Sequence, residues 1–399
     1  GMSIAAEPPR ESFRLDMLWT DARYRSSFIQ TIALILVMLG AAWFVDNTIT
    51  NLEALGKDFN FSFLWQPASY DINQRLIEYD SRDTNARAAL VGILNTLLVA
   101  FMGCLTATVL GVIAGVLRLS KNWIVARLMS VYVEGFRNVP LLVWILMINA
   151  AVTETLPPPA AYRGEETGAF IATNRGFYAP APIWGEGSMV VVVAFLLSLA
   201  GIWVWRRHAR LKQEATGEQS PVLAVSLAIL IVPALLAFFA MGAPITLDYA
   251  TIQRFNFEGG TFIQRPLLSM WLALSLYTGA FVAEIVRSGI LSVSHGQTEA
   301  AFALGLRPNR TMNLIILPQA LRVIVPPLIS QYLNLTKNSS LAIAVGYMDA
   351  TGTLGGITLN QTGREMECIL LLMAFYLTVS LTISSVMNWY NSRVKLVER

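Results

Sequence analysis

The chain has 399 residues, of which 55% are hydrophobic and only 14% are charged, and its formal net charge is +3. With a mean hydropathy of +0.53, this composition is too apolar and too poorly charged for a soluble globular protein. It predicts a protein that crosses a lipid bilayer several times. The small net charge gives no reason to expect a nucleic-acid partner.

Eight segments are long and apolar enough to form membrane-spanning helices, since about 20 apolar residues cross the hydrocarbon core of a bilayer. The third, sixth and seventh of these segments contain charged residues. The predicted spans lie near 28–46, 94–117, 128–152, 188–205, 221–242, 266–291, 324–348 and 366–388.

The spans and the loops between them divide the chain into five parts. A helical core is expected in two pieces, separated by an insertion that begins at three consecutive prolines and contains two spans of its own. The parts are the tail 1–27, the first span with an external segment 28–93, the first core piece 94–156, the insertion 157–265 and the second core piece 266–399.

Lys and Arg residues are distributed unevenly between the two sides of the predicted membrane. If the N-terminus is cytoplasmic, the cytoplasmic segments hold 18 of the 29 and the periplasmic segments hold 9. Because cytoplasmic loops are enriched in Lys and Arg, this predicts that both termini and the segment between the sixth and seventh spans are cytoplasmic. Four basic residues are expected to meet anionic lipid headgroups, namely Arg206, Arg207, Arg210 and Lys212.

The segment between the sixth and seventh spans carries a spaced motif. Glu299-Ala300-Ala301 is followed after three residues by Gly305, and after nine more by Ile315, Leu317 and Pro318. Residues 299–304 favour a helix, and Gly305 suits the left-handed residue that ends one. Pro308 can begin a second short helix, because a proline in the first turn loses no needed hydrogen bond. The pattern predicts two short helices with a sharp corner, outside the membrane.

This spacing is the EAA signature of permease subunits in bacterial ATP-driven importers, and the chain matches it at every position. The core also resembles the amino-acid branch of these permeases, the histidine, glutamate, glutamine and arginine permease family. The similarity covers residues 94–156 and 266–399, and the segments that carry it are 95–97, 118–120, 132–142, 283–290, 296–297 and 335–341. Ser288 and Asn338-Ser339 depart from the usual pattern of the family. The extra first span and the inserted pair resemble the long permease of general or polar L-amino-acid importers.

The resemblance implies an all-α polytopic fold with about eight transmembrane helices, a type I ABC importer permease core with inserted helices. It implies a bacterial inner-membrane protein that pairs with a second permease, two ATP-binding subunits and a periplasmic amino-acid-binding protein. No cofactor is expected on this chain, because ATP and Mg²⁺ would be held by the ATPase. The chain itself has no phosphate-binding loop of the G-x-x-x-x-G-K-[ST] type and is expected to be non-catalytic.

The coupling segment, about 294–322, is expected to transmit ATP-driven movement into the membrane. Its family positions are Gly296, Glu299, Ala300, Ala301, Gly305 and Pro318. An ordinary loop between two spans would not need this spacing, so we interpret the segment as a docking element.

Charged residues inside spans are costly, and each therefore calls for an explanation. Glu134 and Arg137 are three positions apart and can pair on one helical face, and Glu284 and Arg287 can do the same. In the sixth span, Ser275, Gly279 and Ala283 form a strip of small residues suited to close helix contact. Pro326 and Pro327 are expected to interrupt the seventh span.

These polar residues allow two interpretations. In one, they form a path for a zwitterion, in which Arg137 or Lys337 meets the α-carboxylate and Glu284 or Glu134 meets the α-ammonium. In the other, they are structural ion pairs. We interpret Glu134 and Arg287 as structural, leave Arg137 and Lys337 open, and assign Glu284 to the path or a gate. The candidate path residues are Arg137, Asn138, Tyr277, Glu284, Asn334, Lys337 and Ser340.

Two other classes of function remain open at this point. An ion-coupled secondary transporter or channel for small zwitterions would explain the charged spans but not the EAA spacing. A membrane-embedded enzyme is disfavoured, because no His, Asp, Glu and Ser constellation gathers at one depth, and no metal site is expected. The sequence does not determine which amino acids are carried, whether the pore is a homodimer or a heterodimer, or what the inserted helices do.

Overall fold

The apolar segments form helices in the structure, a computed structural model that describes residues 12–56 and 58–394. Polar side chains cap the first turn of several of these helices, as is common at helix starts. Asp21 accepts a hydrogen bond from the Arg23 amide, and Thr84 accepts one from the Arg87 amide. The first five helices are α1 (Met17–Thr20), α2 (Ala22–Ala54), α3 (Asn85–Arg118), α4 (Trp123–Asn138) and α5 (Leu141–Thr155). Helix α2 thus begins inside the predicted tail, whose first eleven residues lie outside the described residues.

The second half of the chain is also mainly helical. Its longer helices are α6 (Ser188–Thr216), α7 (Val222–Ala240), α8 (Arg265–Leu291), α9 (His295–Ala303), α11 (Leu317–Asn338) and α14 (Glu365–Val394). Its short helices are α10 (Pro308–Thr311), α12 (Ala350–Gly352) and α13 (Thr358–Thr362). A 3-10 segment, Ser339–Val345, extends α11 beyond Asn338.

Membrane-spanning helices occur at all eight predicted places. In the described residues, seven helices are long and apolar enough to cross a membrane, and the bent pair α4 and α5 is the eighth if it counts as one span. The predicted third span is therefore two helices, which meet at an angle of 112°. The cause is Pro140, which lacks an amide hydrogen and pushes the preceding Val139 into an extended conformation.

The insertion also contains short β-strands, which the sequence did not predict. The strands are β1 (Ile171–Thr173), β2 (Gly176–Ala179), β3 (Ala181–Trp184), β4 (Ile245–Asp248), β5 (Thr251–Ile252), β6 (Phe257–Glu258) and β7 (Thr261–Gln264). They form an antiparallel sheet in the order β1-β2-β7 and two antiparallel pairs, β3 with β4 and β5 with β6. The helical membrane part agrees with the predicted fold class, and the strands are an addition outside it.

Helix α8 is the centre of the bundle. It packs most extensively against α3 and also contacts α4, α5 and α11. At about 1.5 Å per residue, its 27 residues extend roughly 40 Å. We call the end of the bundle where α8 leads into α9 the α9 end, and the opposite end, where β7 leads into α8, the strand end.

Glycine makes the close approach of α3 to α8 possible. A Cβ atom on Gly111 would lie 2.4 Å from Val282, and one on Gly115 would lie 2.7 Å from the carbonyl oxygen of Ala283. Neither distance leaves room for a side chain. The predicted small-residue strip on α8 therefore faces α3, and Ser275, Gly279 and Ala283 are all buried.

The inserted helices α6 and α7 pack mainly against each other. Their connection to the core runs through the strands, because β3 precedes α6 and β4 follows α7. Helix α2 has no buried residue. Both elements therefore present apolar surfaces that a lipid bilayer or other subunits would cover.

The segment after α11 packs into the bundle. Tyr347, Asp349 and Thr353 are fully buried. The Tyr347 hydroxyl donates to the carbonyl oxygen of Asn95 over 2.6 Å, and the Ala350 amide donates to the Thr96 hydroxyl over 2.9 Å. These bonds hold the segment against α3 and satisfy buried polar groups.

Candidate coupling segment and polar path

The turn after α9 has the conformation that the motif predicts. Gly305 has a φ of +77°, in the left-handed region. The Gly305 amide donates to the carbonyl oxygen of Phe302 over 3.0 Å, and the Leu306 amide donates to that of Ala301 over 3.1 Å. This pair of bonds is a Schellman motif, in which a glycine ends the helix and satisfies its last carbonyl groups.

The second helix of the predicted corner is not short. Pro308 begins α10 at its first position, as expected, but the chain continues through a π-helical turn, Met312–Ile316, directly into α11. Pro318 cannot donate a backbone hydrogen bond, and the wider turn before it accommodates that loss without ending the helix. Pro326 and Pro327 also lie inside α11, so the expected interruption of the seventh span is wrong. The α9 corner is thus joined rigidly to a membrane helix.

The corner presents an apolar surface around a buried alanine. Ala301 is 1% exposed, whereas Phe302 is 82% exposed and Leu304 is 81% exposed. Large apolar side chains that are almost fully exposed outside a membrane segment indicate a contact with another protein. The sequence analysis did not select Phe302 and Leu304. The sequence could have indicated them, because they are apolar residues beside the motif in a segment expected outside the membrane.

The other predicted coupling residues lie around this surface. Glu299 and Ala300 are exposed on α9, and Glu299 lies 3.5 Å from His295, one turn earlier. Gly296 lies in the first turn of α9, whereas Pro318 lies on α11. A hydrogen bond of 3.4 Å from Gln319 to Gln297 connects the two helices.

Arg118 organises the charged residues near the α9 end, and this role was missed. Its guanidinium forms ion pairs with Glu284 of α8 and, at 3.3 Å, with Glu134 of α4. Arg287 also pairs with Glu284 at 3.3 Å, as predicted. The network joins three helices. The sequence analysis gave Arg118 no role of its own, because a partner on another helix leaves no periodic signal in the sequence.

The predicted pair between Glu134 and Arg137 is wrong. Glu134 pairs with Arg118 instead, and its backbone carbonyl accepts a 2.6 Å hydrogen bond from Asn138. The Arg137 guanidinium lies over the Phe281 ring of α8, 5.5 Å from its centre. Packing of α4 against α8 directs Arg137 to an aromatic face, where a cation is attracted by the ring electrons.

The candidate path residues fall into two groups. Arg137 and Tyr277 both contact the Phe281 ring, and the Tyr277 and Phe281 ring centres are 5.0 Å apart. Asn138 lies beside Arg137 at the exposed end of α4. Asn334 and Lys337 are exposed on α11, and Ser340 is half-buried just beyond it. Helices α4 and α11 make no extensive contact in the described residues, although both pack against α8.

Lys337 differs from Glu284 in its ion pairing. Among the residues that the structure describes, no carboxylate lies within 4.0 Å of its ammonium group. Glu284, by contrast, pairs with two arginines. The structure therefore leaves Lys337 available for a ligand or a partner subunit and engages Glu284 locally.

Asp349 is a buried carboxylate that the sequence analysis did not select. One of its oxygens accepts a 2.8 Å hydrogen bond from the Gly352 amide, and the other has no hydrogen-bond partner. Burial disfavours the charged form and raises the pKa of Asp349 to about 7. The residue lies between the last two spans, and its raised pKa is expected to make the stability of the fold depend on pH.

No group of three or more potential metal ligands occurs in the described part of the chain.

Comparisons with known proteins agree with this architecture. Residues 219–396 match the family described as binding-protein-dependent transport system inner membrane component. The chain is 53% identical to the glutamate/glutamine/aspartate/asparagine transport system permease protein BztB of Rhodobacter capsulatus, with both chains covered completely. It is 43% identical to the general L-amino acid transport system permease protein AapQ of Rhizobium johnstonii, over 97% of this chain and 96% of the relative. It is 40% identical to the putative amino-acid ABC transporter permease protein YhdX of Escherichia coli, over 98% of this chain and 99% of the relative.

Proposed function

This chain belongs to the inner-membrane permease subunits of amino-acid ABC transporters, and from that premise we propose that it imports polar and acidic L-amino acids by alternating access. The chain is a multi-pass membrane protein, and ATP hydrolysis would take place on a partner subunit. The proposed substrate range follows the printed names of the relatives, which include glutamate, glutamine, aspartate and asparagine in one case and general L-amino acids in another.

The proposed complex contains a second, non-identical permease, two ATP-binding subunits and a periplasmic amino-acid-binding protein. ATP and Mg²⁺ would bind the ATP-binding subunits. Helix α2 and the α6–α7 pair would meet lipids or the second permease, because their apolar faces are uncovered in this chain. The α9 end, which carries the basic residues of the α6–α7 connection, would be cytoplasmic together with both termini.

The observation that supports the coupling role most directly is the exposure of Phe302 and Leu304 on the rigid α9 corner. A cleft of an ATP-binding subunit would receive these two side chains, with Glu299 at its rim. Because α10 continues into α11, a movement of the corner would be passed to the membrane helix that carries Asn334 and Lys337. This connection would couple nucleotide-driven movement at one end to opening and closing of the pore.

The experiment that tests this role uses the complete transporter in proteoliposomes. Phe302→Glu is expected to reduce binding-protein-stimulated ATP hydrolysis and uptake at least tenfold, because a charge would be buried in an apolar contact. Phe170→Glu is the matched control, since Phe170 is an exposed phenylalanine at the strand end, and it should retain both activities. Normal hydrolysis and uptake by Phe302→Glu would remove the coupling role.

The path residues would act at the interface between the two permeases. Lys337 and Arg137 are proposed to meet the substrate carboxylate. Lys337 has no carboxylate partner among the described residues of the chain, and Arg137 lies on an aromatic face beside Tyr277. Glu284 is proposed to form part of a gate that closes the path near the α9 end, rather than to bind the substrate ammonium group directly. Lys337→Ala should raise the KM for uptake at least tenfold while the complex still assembles. Wild-type KM with normal assembly would exclude Lys337 from the path.

A further inference from the structure

The insertion builds a small strand-rich layer over the start of α8. Ile171, Tyr178, Ala250 and Phe257 form its buried apolar cluster. Beside this cluster, where β2 and β7 meet the first turn of α8, lies a cavity of about 420 Å³. The lining residues are Arg175, Tyr178, Asn256, Phe257, Phe262, Gln264, Arg265 and Pro266.

The cavity has two positive charges and no carboxylate in its lining. The backbone of the sheet fixes Arg175 and Arg265 next to each other, because the Arg265 amide donates to the Arg175 carbonyl oxygen over 2.9 Å. In the described residues, neither arginine forms an ion pair with an acidic side chain. Two adjacent guanidinium groups without a counter-charge favour an anion between them.

The hydrogen-bonding capacity of the two arginines is not used up within the chain. Arg175 donates through Nη1 to the side-chain oxygen of Asn256. The Nε group of Arg265 is buried and has no hydrogen-bond partner. A buried donor without a partner costs free energy, which an acceptor that reaches it would recover.

The surrounding structure gives the cavity further features of a ligand site. Arg265 is the first residue of α8, and the Gln264 side chain does not cap this helix. The amide groups of the first turn therefore add positive potential beside the two arginines. The rings of Tyr178 and Phe262 stack 4.3 Å apart and supply an apolar wall. A cavity of this volume is at the small end of the range for small-molecule sites.

We propose that this cavity binds the carboxylate groups of a free acidic amino acid before it enters the pore. The inference rests on the proposed function in one respect, namely that such amino acids are delivered to the strand end. Arg265 and Arg175 each hold one carboxylate group, and Asn256 and Gln264 offer side-chain oxygens to the ammonium group. Because α8 begins at this cavity and passes the Tyr277 and Glu284 positions, the site lies at the start of the helix that carries the candidate path.

The test measures equilibrium binding of radiolabelled L-aspartate to the complete transporter in nanodiscs, without the binding protein. Arg175→Gln and Arg265→Gln are each expected to weaken binding at least tenfold, and Arg265→Lys should weaken it less. Arg254→Gln is the matched control, because Arg254 lies in the same strand-rich layer but outside the cavity lining. This variant should bind as the wild type does, and L-lysine should not compete for the cavity.

Unchanged aspartate binding in both glutamine variants would overturn the proposal, even if the wild-type complex imports amino acids. An equal loss in Arg254→Gln would also overturn it, since the effect would then belong to the layer as a whole. If the two variants change only the affinity for the binding protein, the ligand is an acidic side chain of that protein and the proposal fails. Arginine-dependent aspartate binding by a complex that shows no ATP-driven uptake would support the cavity and refute the proposed function instead.

Discussion

Arg118, in the last turn of α3, forms an ion pair with Glu284 of α8 although the two residues are 166 positions apart in the chain. The Arg118 side chain is 14% exposed and that of Glu284 is 26% exposed, so water screens the pair only partly. The same guanidinium reaches Glu134, and the network joins α3, α4 and α8 near the α9 end.

Removal of Arg118 should destabilise this junction. Arg118→Gln leaves two carboxylates without their shared cation, and we expect a loss of about 1–3 kcal/mol, between the values for exposed and fully buried pairs. The measurement is the denaturation midpoint of the assembled complex in detergent. Lys121→Gln, which removes an exposed charge just after α3, is the control and should change the midpoint little.

A charge reversal distinguishes a structural role of Glu284 from substrate binding. Glu284→Arg combined with Arg118→Glu restores an ion pair between α3 and α8, although the new arginine then lies beside Arg287 and the new glutamate beside Glu134. If the pair fastens the helices, the double variant should recover part of the stability lost by Glu284→Arg alone. A stable double variant whose KM remains raised more than tenfold would instead assign Glu284 to substrate binding.

The contact between α3 and α8 should not tolerate a larger residue at Gly111. A leucine there would overlap Val282, and overpacking of this kind costs about 1–3 kcal/mol. We expect Gly111→Leu to lower the denaturation midpoint and the yield of assembled complex. Gly135→Ala is the control, because a Cβ atom at Gly135 meets no neighbour within 4 Å. Equal midpoints for Gly111→Leu and the wild type would show that the two helices can separate without cost.

Gly305 should be required for coupling but not for insertion into the membrane. Its φ of +77° is strained for a branched side chain, so Gly305→Val would distort the corner that presents Phe302. We expect at least a tenfold loss of binding-protein-stimulated ATP hydrolysis at normal membrane abundance. Gly217→Val is the control, because Gly217 ends α6 with a φ of +71° outside the coupling segment, and this variant should retain most of the activity. Full hydrolysis by Gly305→Val would contradict a role for the corner geometry.

Asp349 should make stability depend on pH. Its pKa is raised from 3.8 to about 7 in the folded state, so the folded protein binds a proton that the unfolded chain releases above pH 4. Stability from this group is therefore fully present below about pH 4 and falls as pH rises towards 7, by roughly 4 kcal/mol in total.

Asp349→Asn tests this dependence, because the neutral amide has no charged form to bury. The variant should have a higher denaturation midpoint than the wild type at pH 8, and the difference should shrink at pH 5. Asp71→Asn, at an exposed aspartate, should show no such change between the two pH values. A constant difference between Asp349→Asn and the wild type across this range would mean that Asp349 does not titrate in the folded state.

Features that depend on a few neighbouring residues were predictable from the sequence. The helix cap at Gly305, the helix start at Pro308 and the small-residue strip around Gly279 all follow from local backbone and steric preferences. The Glu284–Arg287 pair was predictable for the same reason, since residues three apart share a helical face. The strands of the insertion were not predicted, because runs of two to four residues are too short to show an alternating pattern.

Apolar length alone predicted that this chain crosses the membrane about eight times, and the resemblance of its motif and core segments to a known family predicted an amino-acid ABC permease. Tertiary structure decided which charged groups meet. Arg118 rather than Arg137 neutralises Glu134, Arg265 and Arg175 share one cavity, and Asp349 is buried against α3. The physical reason is that ion pairing and burial depend on which helices and strands are adjacent in space, and adjacency between different elements leaves no periodic trace in the chain.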